Sequence, residues 1–176
     1  QVGTHRRGSP HNIWGIQFLK EGRLGKIGMI RAFVHSSGSG GGDPVPDEEV
    51  PPGLDWDMWC GPAPYRPFNP KIHPRGFRQF LDYGNGTLGD WGIHWMDHIT
   101  WWSEEPYPKK VSSFGGRHIR HDNTDAPDTQ VVQFDYDSFT AVWEHRHYGG
   151  NNAEKHPLGI YFYGTEGTLH IGWRGD

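Results

Sequence analysis

Hydrophobic residues recur with helical spacing in two stretches of the chain. The first, residues 10–21, has Ile13, Ile16 and Leu19 three positions apart and follows a serine, a residue that often caps helix starts. The second, residues 88–102, separates into two sides when it is drawn as a helix, so we predict a helix in each stretch. One side is apolar: Leu88, Trp91, Trp95, Ile99 and Trp102. The other is mostly ionisable: Asp90, His94, Asp97 and Trp101.

Alternating apolar and polar residues, the pattern of a strand, recur in six further stretches of the chain. The predicted strands are residues 27–35, 110–115, 129–136, 139–146, 158–163 and 168–173. Most of them follow one another through short turns, and such connections pair strands in antiparallel fashion. We therefore predict an α+β fold, in which an open, mostly antiparallel β-sheet carries helices on one face.

Residues 36–74 show neither period and contain runs of glycine and proline. Taken alone, that composition is typical of a linker. The stretch also contains Trp56 and Trp59, however, and a free linker would expose both rings to water. Long irregular segments inside compact domains are usually functional. We predict that this segment packs against the rest of the fold and lines a cleft.

Composition and charge narrow the classes of function. The 176 residues suit a single domain, and the content of tryptophan, 9 residues, argues against disorder. The net charge is −4 and basic residues form no block, so we expect no binding to nucleic acid or to a membrane surface. The single cysteine, Cys60, excludes an internal disulfide framework. No apolar run is long enough to cross a bilayer.

The ionisable side of the second helix has two interpretations. Asp90 and His94 are four residues apart, so a helix would bring them within about one turn of each other. A carboxylate and an imidazole at that separation can hold and deprotonate a hydroxyl group. The alternative is a solvated polar face without chemistry, and the helix alone does not decide between them.

Five blocks of sequence, taken in order, resemble the substrate domain of the Gfo/Idh/MocA oxidoreductases, the family of glucose–fructose oxidoreductase and inositol dehydrogenase. The blocks are Gly-Arg-Leu-Gly-Lys-Ile at 22–27, Leu-Asp-Trp-Asp-Met-Trp-Cys-Gly-Pro-Ala-Pro at 54–64, Gly-Asp-Trp-Gly-Ile-His-Trp-Met-Asp at 89–97, Trp-Glu-His-Arg at 143–146 and Gly-Thr-Glu-Gly-Thr-Leu at 164–169. The resemblance implies a C-terminal domain with an open sheet that often mediates oligomerisation. It also implies that His94 is the acid/base for a sugar hydroxyl and that Asp90 holds that substrate.

The same resemblance implies a partner domain that this sequence lacks. Family members bind NAD or NADP on an N-terminal Rossmann domain, whose Gly-x-Gly-x-x-Gly fingerprint is absent here. We therefore expect residues 1–9 to be the tail of, and crossover from, a missing nucleotide-binding domain. Residues 10–176 would be the substrate-binding and oligomerisation domain, truncated at its C-terminus. We expect neither NAD nor NADP to bind this chain alone, and cellular location stays open because any export signal would precede Gln1.

Four further residues are candidate substrate contacts: Asp97, Arg7, Arg146 and Trp56. Asp97 shares the polar side of the second helix, and a structural hydrogen-bonding role is the alternative for it. His145 and Arg146 point to opposite faces of a strand, so at most one of them joins a given site. Trp56 could stack on a sugar ring, or it could fix the long loop to the core.

The resulting hypothesis is the substrate-binding and acid/base half of an NAD(P)-dependent oxidoreductase that acts on a sugar or polyol hydroxyl. The chain is also expected to form a homo-oligomer through its sheet. The alternative is a stand-alone carbohydrate-binding or oligomerisation module without redox activity. A metal-dependent sugar lyase or hydrolase is a third candidate because the chain has 12 histidines, but no ligand spacing supports it and we predict no metal site.

Overall fold

The computed structural model describes residues 3–35, 41–149 and 155–175. Within them the helices are α1 (Pro10–Lys20), α2 (Trp56–Cys60) and α3 (Ile93–Ser103), and a π-helical turn, Leu88–Gly92, precedes α3 directly. Short 3-10 turns occupy His5–Gly8 and Gly76–Gln79. The strands are β1 (Ile27–His35), β2 (Lys110–Gly116), β3 (Thr129–Asp135), β4 (Thr140–Arg146), β5 (Leu158–Gly164) and β6 (Gly167–Ile171).

The strands form one sheet in the order β2-β3-β4-β1-β5-β6. Every neighbouring pair is antiparallel except β1 and β4, which run parallel with Ala32 opposite Trp143. The parallel pair arises because the chain leaves β1, passes through α3 and re-enters the sheet at the β2 edge before it returns to the centre. The prediction of an open, mostly antiparallel α+β fold is confirmed.

The two faces of the sheet differ in what covers them. Alternate residues of the central strands, such as Ala32, Trp143 and Ile160, are fully buried and belong to the same core as α1 and α3. On the other face, Glu144 accepts hydrogen bonds from Arg31 (2.8 Å) and His35 (2.6 Å). These two contacts lower the pKa of Glu144 to about 2, against the opposing effect of burial. No helix of the described residues covers this second face, which we call the open face.

Residues 41–87, called here the loop layer, have their own hydrophobic cluster. It is formed by Trp56, Cys60, Phe68, Ile72 and Phe80. Trp56 is 3% exposed, stacks on Trp59 at 4.6 Å and donates a hydrogen bond from Nε1 to the Arg66 carbonyl at 2.7 Å. The prediction that the long irregular segment packs down is therefore confirmed for this part, and residues 36–40 lie outside the described residues.

The loop layer is joined to the sheet through the connection between β2 and β3. The amides of Asp125 and Ala126 both donate to the Gln79 carbonyl, at 3.1 and 3.0 Å, and the Leu81 amide donates to the Asp125 carboxylate at 2.6 Å. These bonds fix the Gly76–Gln79 turn to the connection between β2 and β3. Across the described residues, no helix has both the length and the apolar character that spanning a bilayer would need.

Candidate functional site

The predicted single helix of residues 88–102 is in fact two elements. Asp90 lies in the π-helical turn, and His94 lies in the first turn of α3. A Cβ on Gly92 would come within 2.7 Å of Leu88 Cδ1, so glycine lets the turn pack closely there. Single π-helical turns inside helices occur often at functional sites. Here the turn changes the helical phase between Asp90 and the residues that follow.

Asp90 and His94 line one cleft of about 300 Å³, together with Arg78, Trp91 and Trp173. A volume of this size is at the lower limit of pockets that bind small molecules. Two of the five lining residues are tryptophans and the other three are ionisable, a combination of apolar and hydrogen-bonding surface that suits a hydroxylated ligand. The structure therefore brings together the two residues that the sequence had singled out.

Asp90 is held by an arginine from the loop layer. Arg78 Nε donates to Asp90 Oδ1 at 2.9 Å, and Arg78 Nη1 donates to the Arg75 carbonyl at 3.1 Å. The guanidinium carbon of Arg78 also lies 4.6 Å from the centre of the Phe77 ring. Sequence reasoning missed Arg78 because residues 75–82 show no clear period. The role of Arg78 is visible only in the folded structure, where the loop layer contacts the turn that carries Asp90.

His94 sits among aromatic rings and positive charges. Its ring centre is 4.9 Å from that of His5 and 5.3 Å from that of Trp173, and its Nδ1 is buried without a hydrogen-bond partner in the described residues. Burial lowers the pKa of His94 below its ordinary value of 6.5, and the charges of His5 and Arg6 lower it further. The imidazole is therefore neutral near pH 7 and can accept a proton.

Trp173 is fixed as a wall of this cleft by the N-terminal segment. Arg6 Nη1 donates to the Trp173 carbonyl at 2.8 Å, and the Arg6 guanidinium carbon lies 3.2 Å from the centre of the Trp173 ring. A cation over an indole face stabilises the ring's position. Arg6 thus joins residues from opposite ends of the described chain beside His94.

Arg7 and Asp97 bind each other outside this cleft. Arg7 donates from Nη2 to Asp97 Oδ1 at 2.8 Å and from Nε to Oδ2 at 2.9 Å, a two-pronged ion pair that raises the pKa of Arg7. Neither side chain is among those that line the cleft of Asp90 and His94. The pair fixes the His5–Gly8 turn to α3, which corresponds to the structural alternative for Asp97.

The two remaining predicted contacts lie away from the pair. Trp56 is buried in the loop layer, so its ring has no face left for a ligand, and the half-buried Trp59 lines a cleft instead. Arg146 alternates with His145 on β4 and shares the open face with Glu144, on the opposite side of the sheet from Trp143 and α3. Within one chain, Trp56 and Arg146 therefore do not line the cleft of Asp90 and His94.

A metal ion and a dinucleotide each require a particular arrangement of residues. Across residues 3–35, 41–149 and 155–175, no group of three or more His, Cys, Asp or Glu side chains is arranged to hold a metal ion. The metal-dependent alternative consequently has no ligand set in that part of the chain. The sheet has a single parallel pair, β1 with β4, rather than the parallel strands of a Rossmann fold, so these residues do not fit NAD in that manner.

The fold and cleft define an α+β domain that joins a carboxylate and a histidine at the start of a helix beside an open sheet. Comparison with protein families identifies this domain. The model described as the C-terminal alpha/beta domain of the oxidoreductase family Gfo/Idh/MocA matches residues 26–176. The chain therefore belongs to the Gfo/Idh/MocA oxidoreductase family.

Solved structures show the same fold at low sequence identity. Levoglucosan dehydrogenase, in complex with NADH and levoglucosan, has a TM-score of 0.64 at 16% identity over 98% of this chain and 40% of its own. Scyllo-inositol dehydrogenase from Lactobacillus casei, with NAD(H) and scyllo-inositol bound, has a TM-score of 0.57 at 16% identity over 98% and 42%. The WlbA dehydrogenase from Bordetella pertussis, in complex with NADH and UDP-GlcNAcA, has a TM-score of 0.59 at 15% identity over 96% and 42%.

The lengths of these proteins set the scope of the comparison. This chain spans 42% of the WlbA chain and 40% of the levoglucosan dehydrogenase chain. Comparison with curated protein sequences gave no match. At these identities the structural likeness establishes the fold alone.

Proposed function

We propose that this chain is the substrate-binding and acid/base half of an NAD(P)-dependent oxidoreductase that acts on a sugar or polyol hydroxyl. The observation that carries the proposal is the cleft that Asp90 and His94 share. Family membership supports the reaction class, and the sugar and polyol ligands of two similar structures support the class of substrate.

In the proposed reaction His94 accepts the proton of the hydroxyl that is oxidised. Its lowered pKa keeps the imidazole neutral and ready for that proton near pH 7. The Asp90 carboxylate accepts a hydrogen bond from a neighbouring hydroxyl, and Arg78 orients that carboxylate through its 2.9 Å bond. Trp91 and Trp173 offer apolar surface to the C–H groups of the ring.

Oxidation of an alcohol also requires an acceptor for the hydride. In the proposed enzyme NAD or NADP fills that role on a separate nucleotide-binding domain, because the sheet described here lacks the parallel strands of a Rossmann fold. We propose that residues 1–9 belong to the crossover from that domain and that residues 10–176 form the substrate domain. The match to only 40% of levoglucosan dehydrogenase is consistent with this division.

The test is the His94→Ala substitution in the full-length enzyme, assayed by NAD(P)H formation with a panel of sugars and polyols. We expect kcat to fall by about 10²–10⁴-fold, because a positioned general base contributes that much. His121→Ala is the matched control, since His121 is exposed and lines none of the clefts described above. Undiminished turnover in His94→Ala would overturn the role given to His94.

The pH profile offers a sharper check on the same residue. Because the neutral imidazole is the active form, kcat/KM should fall as pH drops through the pKa of His94, which lies below 6.5. Arg6 lowers this pKa through its charge, so Arg6→Gln should move the acid limb of the profile to higher pH. If the acid limb of the kcat/KM profile stays at the same pH in both Arg6→Gln and His94→Gln, a group other than His94 is responsible for it.

A second candidate function is that of a carbohydrate-binding or oligomerisation module without redox activity, and the open face favours the oligomerisation part. Met29, Phe114 and Val131 lie on it and are 43, 70 and 41% exposed. We propose that a second copy of the chain covers this face to form a homo-oligomer.

Sedimentation of the wild type should show a dimer or larger species, and the Phe114→Asp variant should sediment closer to the monomer. A wild type that sediments only as a monomer would contradict the proposal.

A further inference from the structure

The cleft of Asp90 and His94 continues towards the loop layer. A second cleft, of about 290 Å³, shares Arg78 and Asp90 with the first and is lined further by Phe77 and the Gly84-Asn85-Gly86 turn. A third cleft, of about 390 Å³, shares Phe77 with the second. Each cleft shares lining residues with the next, so the three are neighbours, and we call their succession from the acid/base pair to the loop layer the groove.

The far end of the groove, the third cleft, combines aromatic rings with a carboxylate. The ring centre of Trp59 lies 5.2 Å from that of Tyr83 and 6.2 Å from that of Phe77, to which it is nearly perpendicular at 75°. Asp82 lines the same cleft, and its carboxylate lies 3.4 Å from Arg66 Nη1. Flat apolar surfaces beside hydrogen-bonding groups suit a sugar ring, which has an apolar C–H face and a polar edge.

The aromatic surface is built to stay in place. One face of the Trp59 ring stacks on Trp56 at 4.6 Å with an angle of 10° between the planes, and Trp56 is itself buried. Trp59 differs from Trp56 in remaining partly open to the cleft. If both rings only filled the cluster, we would expect both to be buried. A rigid ring that has one covered face and lines the cleft with part of its remaining surface has little entropy to lose when a ligand binds.

We propose that the third cleft binds a second sugar ring, so that the substrate is a glycoside of two or more sugars rather than a free monosaccharide. This inference rests on the proposed function, since it places the ring to be oxidised at Asp90 and His94. The neighbouring ring lies on Trp59, Phe77 and Tyr83, and the linkage between the rings crosses Phe77 and Arg78. At the edge of the groove the Asp82 carboxylate accepts hydrogen bonds, and the Asn85 amide can accept or donate them.

The experiment compares matched ligands on the 176-residue chain by quenching of tryptophan fluorescence. The probes are the methyl glycosides of glucose, galactose and mannose, each set beside disaccharides and trisaccharides that carry the same terminal sugar. For one terminal sugar we expect the longer ligand to bind about tenfold more tightly than its methyl glycoside, the gain of one well-placed aromatic contact. In Trp59→Ala this preference should fall to about twofold or less, with the affinity for the methyl glycoside retained.

Two further variants distinguish the loss of a ligand contact from a general loss of folded protein. Asp82→Asn leaves the aromatic cluster intact and should reduce the preference for the longer ligand by about threefold. Trp14→Ala, which removes a 59% exposed tryptophan on α1, should leave it unchanged. Equal affinity for short and long ligands in the wild type would overturn the second-ring site while the proposed function stands. If no ligand of either length binds, the inference fails, whereas the proposed function is decided separately by the NAD(P)H assay of His94→Ala in the full-length enzyme.

Discussion

The sheet with its helices and the loop layer are two hydrophobic units built in different ways. The sheet core takes its buried residues from periodic elements, such as Ala32 and Trp143 on adjacent strands and Trp95 on α3. The loop layer has one regular helix of five residues, α2, and its cluster consists of side chains brought together by turns. Periodic burial needs only local geometry, whereas the second cluster exists only when the whole segment has folded.

The candidate site lies at the boundary between these two units. Asp90 and His94 come from the sheet side, and Arg78 comes from the loop layer. This division lets the stable unit fix the acid/base pair while the loop layer shapes the groove around the ligand. Segments with few buried apolar contacts open at lower free energy than a sheet core. We therefore expect changes in the two units to affect stability and ligand binding differently.

The largest effect is expected from Trp143→Ala. Trp143 is fully buried at the centre of the sheet, and its Nε1 donates to His145 Nδ1 at 3.1 Å. Losing the ring should lower the free energy of unfolding by about 3–5 kcal/mol and unfold both units together. Urea denaturation followed by circular dichroism measures this change. Trp14→Ala is the control and should cost less than about 1 kcal/mol, because Trp14 is 59% exposed.

Trp56→Ala tests whether the loop layer opens by itself. The expected loss is about 3 kcal/mol, at the lower limit for a buried tryptophan, because Trp59 and Phe68 can partly fill the space. Hydrogen exchange should speed up at residues 41–87, while the amides of β1, β4 and β5 keep their protection. Equal acceleration in both units would show that the sheet and the loop layer unfold as one cooperative unit.

This contrast also explains how far the sequence could be interpreted. The period of residues 10–21 and 27–35 predicted α1 and β1 closely, because each pattern reports a local geometry that the core selects. The packing of residues 54–64 followed only from the argument that tryptophans avoid water. Arg78 escaped prediction because a single arginine in an aperiodic segment gives no sign of the carboxylate it will meet. Trp56 and Trp59 were equivalent in the sequence, and only burial separates them.

Arg78→Met tests the contact between the two units at the site. We expect kcat/KM of the full-length enzyme to fall about tenfold, because Asp90 loses the donor that orients it. The free energy of unfolding should change by less than about 1 kcal/mol, since the Arg78 and Asp90 side chains are 42 and 35% exposed and solvent screens their attraction. Arg78→Lys keeps the charge without the Nε donor and should recover only part of the activity. Full activity in Arg78→Met would remove Arg78 from the site.

The smallest effect is expected from breaking the Arg7–Asp97 pair. The Arg7 side chain is 46% exposed, so Arg7→Gln and Asp97→Asn should each lower the free energy of unfolding by less than about 1 kcal/mol. The double variant should cost less than the sum of the two single variants, because both remove the same contact. Substrate contact by Arg7 and Asp97 remains the competing prediction, and kcat/KM distinguishes the two roles. A loss of activity well beyond the loss of stability, in Asp97→Asn above all, would return both residues to the substrate site and make α3 a binding surface along its first two turns.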